Sequence, residues 1–386
     1  MDFNELLKPS GLPNDISVIE MIKESALPVV LYGASADVAG QIVKKLSNNG
    51  LTVQMVVFDD ESPVITEPIQ FVIAKWSNDI YCGSTQLLND GEPVHVSDVD
   101  RMLPAYHVIL GFVKGYGRIA DISAKFGNAR SVSYLSEIFD LELITHTFIQ
   151  ENIDYLRSFY DDLLDRQSKD SFVAYLLSKS RQDMKYLPPV FDKKQYFPQG
   201  LFTLTAHESY FDCGAFTGDT IADFLKATGG CYNRIWAVEP DRTNYQQLIQ
   251  YIKNERLTNI ETVNKGVYGY AGRLPFQEEG SMLSMITNKS DSYIEVDTID
   301  RMTAGNPVTY LKMDVEGAEL QALHGAEQTI SAFKPVLGIS IYHRERDLID
   351  IPLYIKEIAP EYKFCFRVHK KLAIDTVLYG VIENKK

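Results

Sequence analysis

The 386-residue chain is poor in cysteine, in basic residues and in long apolar runs, and each shortage excludes a class of protein. Its four cysteines show no Cys-x-x-Cys spacing, which argues against a disulfide framework or a zinc site and favours a reducing compartment. No stretch reaches the roughly 18 apolar residues that a membrane span needs, and no basic leader precedes an apolar core. Acidic residues outnumber basic ones 52 to 38, and the net charge of −14 repels phosphate backbones. We therefore expect a cytoplasmic protein with no nucleic-acid partner and no membrane insertion.

Alternating strand and helix signals fill the first part of the chain. The apolar run PVVLYG ends at Gly33, a helix is predicted over 37–47, and the β-branched run LTVQMVVF follows. Strand, helix and strand in this order form the βαβ unit of a parallel sheet. The further runs QFVIA and YHVILGF extend the pattern, which predicts a smaller Rossmann-like α/β domain over residues 1–142.

The turn after the first predicted strand indicates which ligand this domain could bind. The segment LYGASADVAGQIV resembles the first turn of nucleotide-sugar-binding Rossmann units, which often read GxGxxG. Only Gly33 and Gly40 of that pattern are present, with the acidic pair Asp59 and Asp60 further on. We therefore expect a domain that does not bind a dinucleotide, and binding of a nucleotide-activated sugar is the alternative.

The rest of the chain shows helical spacing first and then a second alternation. Apolar residues recur three to four positions apart between 146 and 198, which predicts a helical connector over residues 143–199. Strands and helices then alternate again, and the last two strands, YKFCFRVHK and DTVLYGVI, are close enough to form an antiparallel hairpin. The block 200–386 is predicted to be a parallel sheet with helices on both faces that ends in a hairpin.

The segment FDCGAFTGDT carries the strongest turn signal at a strand end. Asp212 ends the strand, and Gly214 and Gly218 permit a tight turn with a close backbone approach to a ligand. Asp219 or Thr220 can cap the helix that follows, whose free amides suit a carboxylate or phosphate group.

A second acidic residue marks the end of the next strand, IWAVEPD. The carboxylate of Glu239 can accept hydrogen bonds there from both ribose hydroxyls of an adenosine ligand. The alternative is a helix-start acid that stabilises the macrodipole by roughly 0.3–1 kcal/mol, a role that Asp241 would also fill. Because Glu239 precedes Pro240 at the strand tip, we favour the ribose role.

Four motifs occur in a fixed order over about residues 195–343: FDCGAFTGDT, IWAVEPDRTNYQQL, IEVDTIDRM and YLKMDVEGAELQALHGA. Together they resemble the FkbM family of S-adenosylmethionine-dependent methyltransferases. The resemblance implies the seven-stranded, doubly wound class I methyltransferase sheet, with S-adenosyl-L-methionine as the cofactor. It also implies that the turn after Asp212 lines the methionine end of the cofactor. Phe216, in this turn, fills a position that is glycine in many class I enzymes. The predicted cofactor-binding residues are Asp212, Gly214, Ala215, Phe216, Gly218, Glu239, Pro240, Gly266, Val267 and Asp314.

Three carboxylates lie close together in YLKMDVEGAELQAL, at Asp314, Glu316 and Glu319. They can do acid–base work, coordinate a hard cation such as Mg²⁺, or orient a cationic sulfonium by charge. We favour the last use for Asp314 and assign no metal ligand. The alternative is a structural ion pair between Asp314 and Lys312, which lie on the same side of the pleat.

His343, at the end of PVLGISIYH, is the histidine best placed at a strand tip. Its predicted role is that of general base, which would add about 10²–10⁴ in rate to the effect of aligning the acceptor. A capping or surface position is the alternative for His343, and Tyr342 would point to the opposite face if the strand continued that far. His343 and Asp314 are the predicted catalytic residues.

The segment 266–294 is too irregular for one long element. It is predicted either to cover the adenine as a loop or to form a plain β-hairpin, with Ser281 and Ser284 as weak candidates for cofactor contact.

These observations predict an S-adenosylmethionine-dependent O-methyltransferase, and the family resemblance implies a sugar or surface-glycan hydroxyl as the acceptor. One alternative is an NAD-dependent nucleotide-sugar oxidoreductase or epimerase, which commonly needs a YxxxK pair; Tyr81 and Tyr106 have no lysine four residues on. A non-catalytic cofactor-binding protein is the other alternative. The oligomeric state stays open.

Overall fold

A computed structural model of the chain describes residues 1–8, 17–34, 36–59, 93–111, 119–135, 144–181, 186–277, 285–286, 292–369 and 375–383. The chain divides into two compact units. The described part of the first lies within Met1–Ile153 and Val173–Phe191, and that of the second within Asp154–Phe172, Asp192–Lys370 and Ile374–Lys386. The three-part division into residues 1–142, 143–199 and 200–386 stays a prediction. Within the described residues, no helix combines the length and the apolar character needed to cross a bilayer.

The first unit is an α/β layer structure around a five-stranded sheet. The strands are β1 (Val29–Tyr32), β2 (Val53–Phe58), β3 (Val94–His95), β4 (Tyr106–Leu110) and β5 (Ala129–Ser133). The helices are α1 (Val18–Ser25), α2 (Ala36–Asn48), α3 (Val96–Met102), α4 (Ile119–Ser123) and α5 (His146–Glu151), and a 3₁₀ turn spans Phe3–Leu7. All strand pairs are parallel in the order β3-β2-β1-β4-β5, which confirms the Rossmann-like prediction. The predicted strand QFVIA lies outside the described residues.

The second unit contains the larger sheet. The helices that precede it are α6 (Ile153–Asp162) and α7 (Arg166–Ser180), whose residues are shared between the units. The strands of the unit are β6 (Ser209–Cys213), β7 (Arg234–Val238), β8 (Ile260–Val263), β9 (Gly266–Val267), β10 (Gly272–Gln277), β11 (Met285–Ile286), β12 (Tyr293–Asp297), β13 (Tyr310–Met313), β14 (Val336–Ser340), β15 (Lys363–Val368) and β16 (Thr376–Val381). Its remaining helices are α8 (Asp219–Thr228), α9 (Arg242–Asn254), α10 (Ile299–Thr303), α11 (Glu319–His324), α12 (Glu327–Phe333) and α13 (Asp347–Ile358).

Seven strands form the main sheet, in the order β15-β16-β14-β13-β6-β7-β8. β16 runs antiparallel to both of its neighbours and the other pairs are parallel. The seven-stranded sheet with its closing hairpin therefore has the predicted form. Every residue of β6 and β13 is buried, as expected for central parallel strands that are covered on both faces.

Aromatic side chains fill one side of this core. The rings of Tyr210 and Phe224 stack with centroids 4.4 Å apart, and Phe197 packs against Tyr310 at 5.5 Å. These rings hold α8 against the sheet, so the helix start that faces the strand ends is fixed by a packed core.

The helical segment that follows the sequence DVEG is divided into α11 and α12. The backbone at Gly325 passes so close to the segment after β9 that a Cβ there would lie 2.2 Å from the carbonyl oxygen of Tyr268. This close approach needs glycine, and the helix ends at that residue.

The irregular segment after β8 forms a small four-stranded sheet in the order β11-β10-β12-β9. β10 pairs antiparallel with β11 and β12, and β9 pairs parallel with β12. The described part of the segment is therefore β-structure, in keeping with the hairpin alternative. Ser281 and Ser284 lie outside the described residues.

Candidate functional site

The candidate site lies at the edge of the main sheet where β6, β7, β13 and β14 end. Because these strands are parallel and in register, their carboxyl ends meet at one edge, where open α/β sheets bind their ligands.

The backbone of the turn after β6 has a conformation and contacts that residues with a Cβ rarely allow. Gly214 has φ +77°, and a Cβ there would lie 2.0 Å from the carbonyl oxygen of Asp314. Gly218 has φ +99°, and its Cβ would lie 2.5 Å from the ring of Tyr251. Phe216 also has a positive φ, of 46°, so this residue adopts the conformation that glycine favours at the same place in many class I enzymes. The predicted need for both glycines is explained by these contacts.

Gly218 is the N-cap of α8, and no side chain caps this helix. The prediction that Asp219 or Thr220 caps it is therefore wrong. The hydroxyl of Thr220 instead donates to Asp212 Oδ2 over 2.5 Å. The first amides of α8 consequently have no side-chain acceptor, which suits them to an anionic or polar ligand.

Asp212 and Lys312 form a fully buried ion pair beneath this turn. Their charged atoms are 3.1 Å apart, and their side chains are 0% and 2% exposed. Burial lowers the pKa of Lys312, but the carboxylates of Asp212 and Asp314 together outweigh this effect and raise it. Lys312 Nζ also donates to the carbonyl oxygens of Cys213 and Gly214. The pair thus holds the base of the turn, and the Asp212 carboxylate is enclosed by protein.

The suggested pair between Lys312 and Asp314 does not form. β13 ends at Met313, so the pleat does not carry Asp314 onto the side of Lys312. The register of β13 and β6 sets Lys312 directly beside Asp212. Cross-strand pairing therefore decides the partner of this lysine, rather than its position two residues before Asp314.

Glu239 connects the tip of β7 to the turn after β6. One carboxylate oxygen accepts from the Phe216 amide and the other from the Asp241 amide, each over 2.9 Å. Glu239 is 5% exposed, and this burial raises the pKa of its carboxyl to about 7. Asn264 donates to the carbonyl oxygens of Glu239 and Pro240, which fixes the strand tip. Because a carboxylate offers about four acceptor positions, two remain for a ligand.

Gly266 and Val267 form β9 in the small sheet and are both buried. A Cβ at Gly266 would lie 2.9 Å from Ile294 Cδ1 in β12, so packing within this sheet accounts for the glycine. The proximity of both residues to an adenine stays a prediction, as does the contact of Ala215, which is fully buried, with a cofactor.

Four side chains meet beside the ends of β13 and β14, and we call them the His343 cluster: Asp314, Glu316, Glu319 and His343. His343 Nε2 lies 3.2 Å from Glu316 Oε2 and 3.8 Å from Asp314 Oδ1. His343 Nδ1 lies 3.1 Å from Glu319 Oε1. Neither ring nitrogen has a hydrogen bond of good geometry at these short distances. The structure therefore brings both predicted catalytic residues together with two further carboxylates.

The turn that carries these carboxylates is strained. Glu316 has φ +53° and Gly317 has φ +87°. A left-handed conformation is unusual for glutamate, and such strain is concentrated at functional sites. The Glu319 carboxylate accepts from the Val315 amide over 2.9 Å and holds the turn against the start of α11.

Burial lowers the pKa of the His343 imidazole, but the carboxylates of Glu319, Glu316 and Asp314 outweigh it and raise the pKa well above its ordinary value. The carboxylates therefore favour the protonated imidazole, which cannot accept another proton. Its role as a general base stays a prediction, which requires that proton to be displaced first.

Tyr342 and His343 lie on the same side of the site. β14 ends at Ser340, so the alternation of the strand does not extend to these residues. Their rings are 4.0 Å apart, and the Tyr342 hydroxyl lies 3.4 Å from Asp314 Oδ1. The opposite orientation would have required a longer strand.

Two further residues of the site were not predicted from the sequence. The Tyr196 hydroxyl donates to Asp314 Oδ2 over 2.8 Å and lies 3.1 Å from Ser340 Oγ. Asp347 is buried near the cluster, and burial together with the charge of Glu319 raises the pKa of its carboxyl to about 7. Tyr196 lies in the sequence KQYFP at residues 194–198, and nothing in that sequence indicates a partner in the DVEG turn.

The VDTID motif stabilises the backbone. Asp297 pairs with Lys265 over 3.2 Å and with Arg301 over 3.1 Å, and Asp300 accepts from backbone amides at the start of α12. These ion pairs and hydrogen bonds hold α10 and α12 in place.

In the first unit, Asp59 follows β2, where dinucleotide-binding domains place a ribose-binding acid. Here Asp59 pairs with Lys125 over 2.6 Å. This contact agrees with a domain that does not bind a dinucleotide, which stays a prediction. Asp60 lies outside the described residues.

Comparison with known proteins agrees with the sheet and the motifs. Residues 212–362 match the family model described as Methyltransferase FkbM domain. The crystal structure of methyltransferase FkbM from Methylobacillus flagellatus KT superposes with a TM-score of 0.69 at 24% identity, covering 98% of this chain and 97% of that chain. No curated protein matches the chain.

Two more distant structures cover about half of the chain. They are an rRNA methylase from Streptococcus thermophilus (TM-score 0.32, 12% identity, 47% of this chain and 90% of that chain) and Aeropyrum pernix fibrillarin with natively bound S-adenosyl-L-methionine (TM-score 0.30, 16% identity, 47% and 71%). The family match confirms the predicted resemblance of residues 212–362 to FkbM methyltransferases.

Proposed function

We propose that the protein is an S-adenosylmethionine-dependent O-methyltransferase that acts on a hydroxyl of a sugar or surface-glycan precursor. The observation that carries the proposal is the hydrogen bond from the Phe216 amide to Glu239. It joins a glycine turn at the end of one strand to a buried acid at the end of the next, inside an FkbM methyltransferase domain.

The residues at this edge fit the cofactor. Gly214 and Gly218 keep the turn free of side chains, and α8 begins without a side-chain cap. The two free acceptor positions of Glu239 suit the two hydroxyls of a ribose. When bound, S-adenosylmethionine supplies a methyl group on a positively charged sulfur. The buried pair of Asp212 and Lys312 supports the turn from below.

The His343 cluster supplies negative charge beside the turn. Asp314 is half-buried and is held by the hydroxyls of Tyr196 and Tyr342, so its carboxylate has a fixed position. A fixed carboxylate attracts a cationic sulfonium and can accept a hydrogen bond from an acceptor hydroxyl. Alignment of that hydroxyl with the methyl group would supply most of the rate, with effective molarities of about 10⁵–10⁸ M.

The choice of a sugar hydroxyl depends mainly on the family resemblance. The cluster agrees with it, because carboxylates that are partly open to solvent can accept hydrogen bonds from several hydroxyls of one polyol. An acceptor without hydroxyl donors would leave these groups unpaired.

Calorimetry with S-adenosylmethionine, S-adenosylhomocysteine and NAD tests the cofactor. We expect the first two to bind, and Glu239→Ala to abolish their binding because both ribose partners are lost. Glu239→Gln keeps one acceptor for the amides of Phe216 and Asp241 and should weaken binding less. Asp223→Ala, which removes an exposed carboxylate from α8, is the matched control and should bind as the parent does. Binding of NAD alone, or unchanged binding by Glu239→Ala, would contradict the proposal.

Transfer of a labelled methyl group tests the acceptor. The panel should contain free sugars, nucleotide-activated sugars, a polysaccharide, a phenol and a carboxylic acid. Label on a hydroxyl of a carbohydrate supports the proposal. Label on the phenol or the acid alone overturns the choice of acceptor and leaves the cofactor assignment intact.

A further inference from the structure

The His343 cluster has the geometry of a metal site. Asp314, Glu316 and His343 each offer one ligand atom, and these atoms all lie within 4.8 Å of one another. Around a cation with metal–ligand distances of about 2.1 Å, neighbouring ligands are about 3.0 Å apart and opposite ones about 4.2 Å. The distances from His343 Nε2 to Glu316 and Asp314, 3.2 and 3.8 Å, fall in this range.

The orientation of His343 is what a metal-binding histidine requires. Its side chain is 6% exposed, and Nδ1 faces the fully buried carboxylate of Glu319 over 3.1 Å. Histidines that bind metals almost always donate the other ring N–H to a carboxylate or carbonyl, which fixes the tautomer and the direction of the ring. With Nδ1 directed to Glu319, Nε2 faces Asp314 and Glu316. Neither nitrogen makes a hydrogen bond of good geometry, so Glu319 orients the ring through its charge and Nε2 is left facing the two other carboxylates.

The charge around the cluster also favours a cation. Four carboxylates gather here, from Asp314, Glu316, Glu319 and Asp347. Among the described residues nearby, the Lys312 ammonium already pairs with Asp212, and Arg344 is exposed. The hydrogen bonds of the carboxylates come from neutral donors, such as the Tyr196 hydroxyl and the Val315 amide, which do not cancel the negative charge. A divalent ion would balance that charge.

We propose that Asp314, Glu316 and His343 bind a divalent transition-metal ion such as Mn²⁺, and that Glu319 is a positioning residue for His343. Only a neutral imidazole can bind a metal, so the ion takes the place of a proton on Nε2, which is released to solvent. Two carboxylates suit Mg²⁺ and Mn²⁺, whereas the imidazole favours a transition metal over Mg²⁺. The side chains of Asp314 and Glu316 are 19% and 24% exposed, so one side of the site is open for water or a hydroxyl ligand. The site does not depend on the proposed function, since metal binding can be measured without methyl transfer.

Titration of metal-free protein with Mn²⁺, followed by electron paramagnetic resonance of the free ion, tests the site. The parent protein should bind one equivalent. Glu316→Gln and His343→Gln each remove a ligand and should weaken binding at least tenfold. Glu357→Gln, an exposed glutamate of α13, is the matched control and should bind as the parent does. Circular dichroism of each variant shows whether it is folded.

Spin-echo modulation from the bound Mn²⁺ identifies the histidine. The nitrogen signal should be present in the parent and in Glu316→Gln, and absent in His343→Gln. Glu319→Gln keeps all three ligands, so it should weaken Mn²⁺ binding about 10–100-fold without removing that signal. A merely structural role for Glu319 would lower stability without changing the Mn²⁺ affinity of the folded protein.

Two results would overturn the proposal. One is the absence of Mn²⁺, Co²⁺ and Zn²⁺ binding to the folded parent at millimolar metal. The other is binding that both ligand variants retain at parental affinity. Tight binding of Co²⁺ or Zn²⁺ that these variants lose would support the same site.

Discussion

Replacing the buried Lys312 should lower the free energy of unfolding of the second unit far more than replacing an exposed lysine that also pairs with an aspartate. Lys312→Met leaves Asp212 buried without its cation and takes a donor from the carbonyl oxygens of Cys213 and Gly214. Loss of one partner of a buried pair costs about 3–5 kcal/mol, because the other charge stays buried. The control is Lys226→Met, which breaks a pair with Asp223 of similar length that is exposed to solvent, and no measurable change is expected there.

The stability lost in Lys312→Met should increase as pH rises. In the parent protein burial already raises the pKa of Asp212 above its ordinary value of 3.8, and in Lys312→Met it should rise further because no cation opposes burial. The unfolded chain then binds fewer protons than the folded one, so stability falls as pH rises, by at most about 1.4 kcal/mol per pH unit. The variant should therefore lose more stability at pH 8 than at pH 5. Adding Asp212→Asn to Lys312→Met removes the charge and should recover much of the loss at pH 8.

Urea unfolding followed by tryptophan fluorescence measures these changes. The chain has two tryptophans, and Trp236 lies in β7 of the second unit, so a Trp76→Phe background makes its signal report that unit alone. A loss of 3–5 kcal/mol lowers the urea midpoint by about 1 M or more. Equal effects of Lys312→Met and Lys226→Met, or a loss that is the same at pH 5 and pH 8, would refute the reasoning.

Two further outcomes are expected. Because burial raises the pKa of Glu239 to about 7 and ribose hydroxyls favour its charged form, S-adenosylhomocysteine should bind about tenfold more weakly at pH 6 than at pH 8. Calorimetry at both values checks this, and the residual binding of Glu239→Gln should not change in this way; equal affinities of the parent protein at the two values would contradict it. Gly218→Ala should destabilise the protein more than Gly229→Ala in urea unfolding, because both glycines have positive φ but only Gly218 lies against Tyr251. A larger loss in Gly229→Ala would show that the contact with Tyr251 is not what requires glycine.

The sheet could be predicted from the sequence because each strand is a short run of apolar residues, which can be recognised locally. Apolar runs separated by helical spacing marked the parallel strands, and the short gap before β16 marked the hairpin. Glu239 was predicted at the strand tip for the same reason, since its position follows from the end of one apolar run.

Contacts between distant segments could not be predicted. Tyr196 and Asp314 are 118 residues apart in the chain, and no local pattern connects them. The partner of Lys312 depends on the register of β13 against β6, which the spacing within β13 does not contain. The break between α11 and α12 likewise depends on how closely Gly325 approaches Tyr268. Such features arise from packing, and only the structure reveals them.

The order of strands at one edge of the main sheet has a consequence for how the second unit folds. Among the described strands of that sheet, β15 precedes β16 in the chain but reaches the rest only through β16, which pairs with β14. β15 therefore has no docking partner in the sheet until the later strand has been inserted beside β14. A chain cut between the two would lose both strands from the sheet and leave the edge of β14 open to pairing with another molecule. Closure of this edge therefore depends on β16, and truncations just before β16 should favour aggregation.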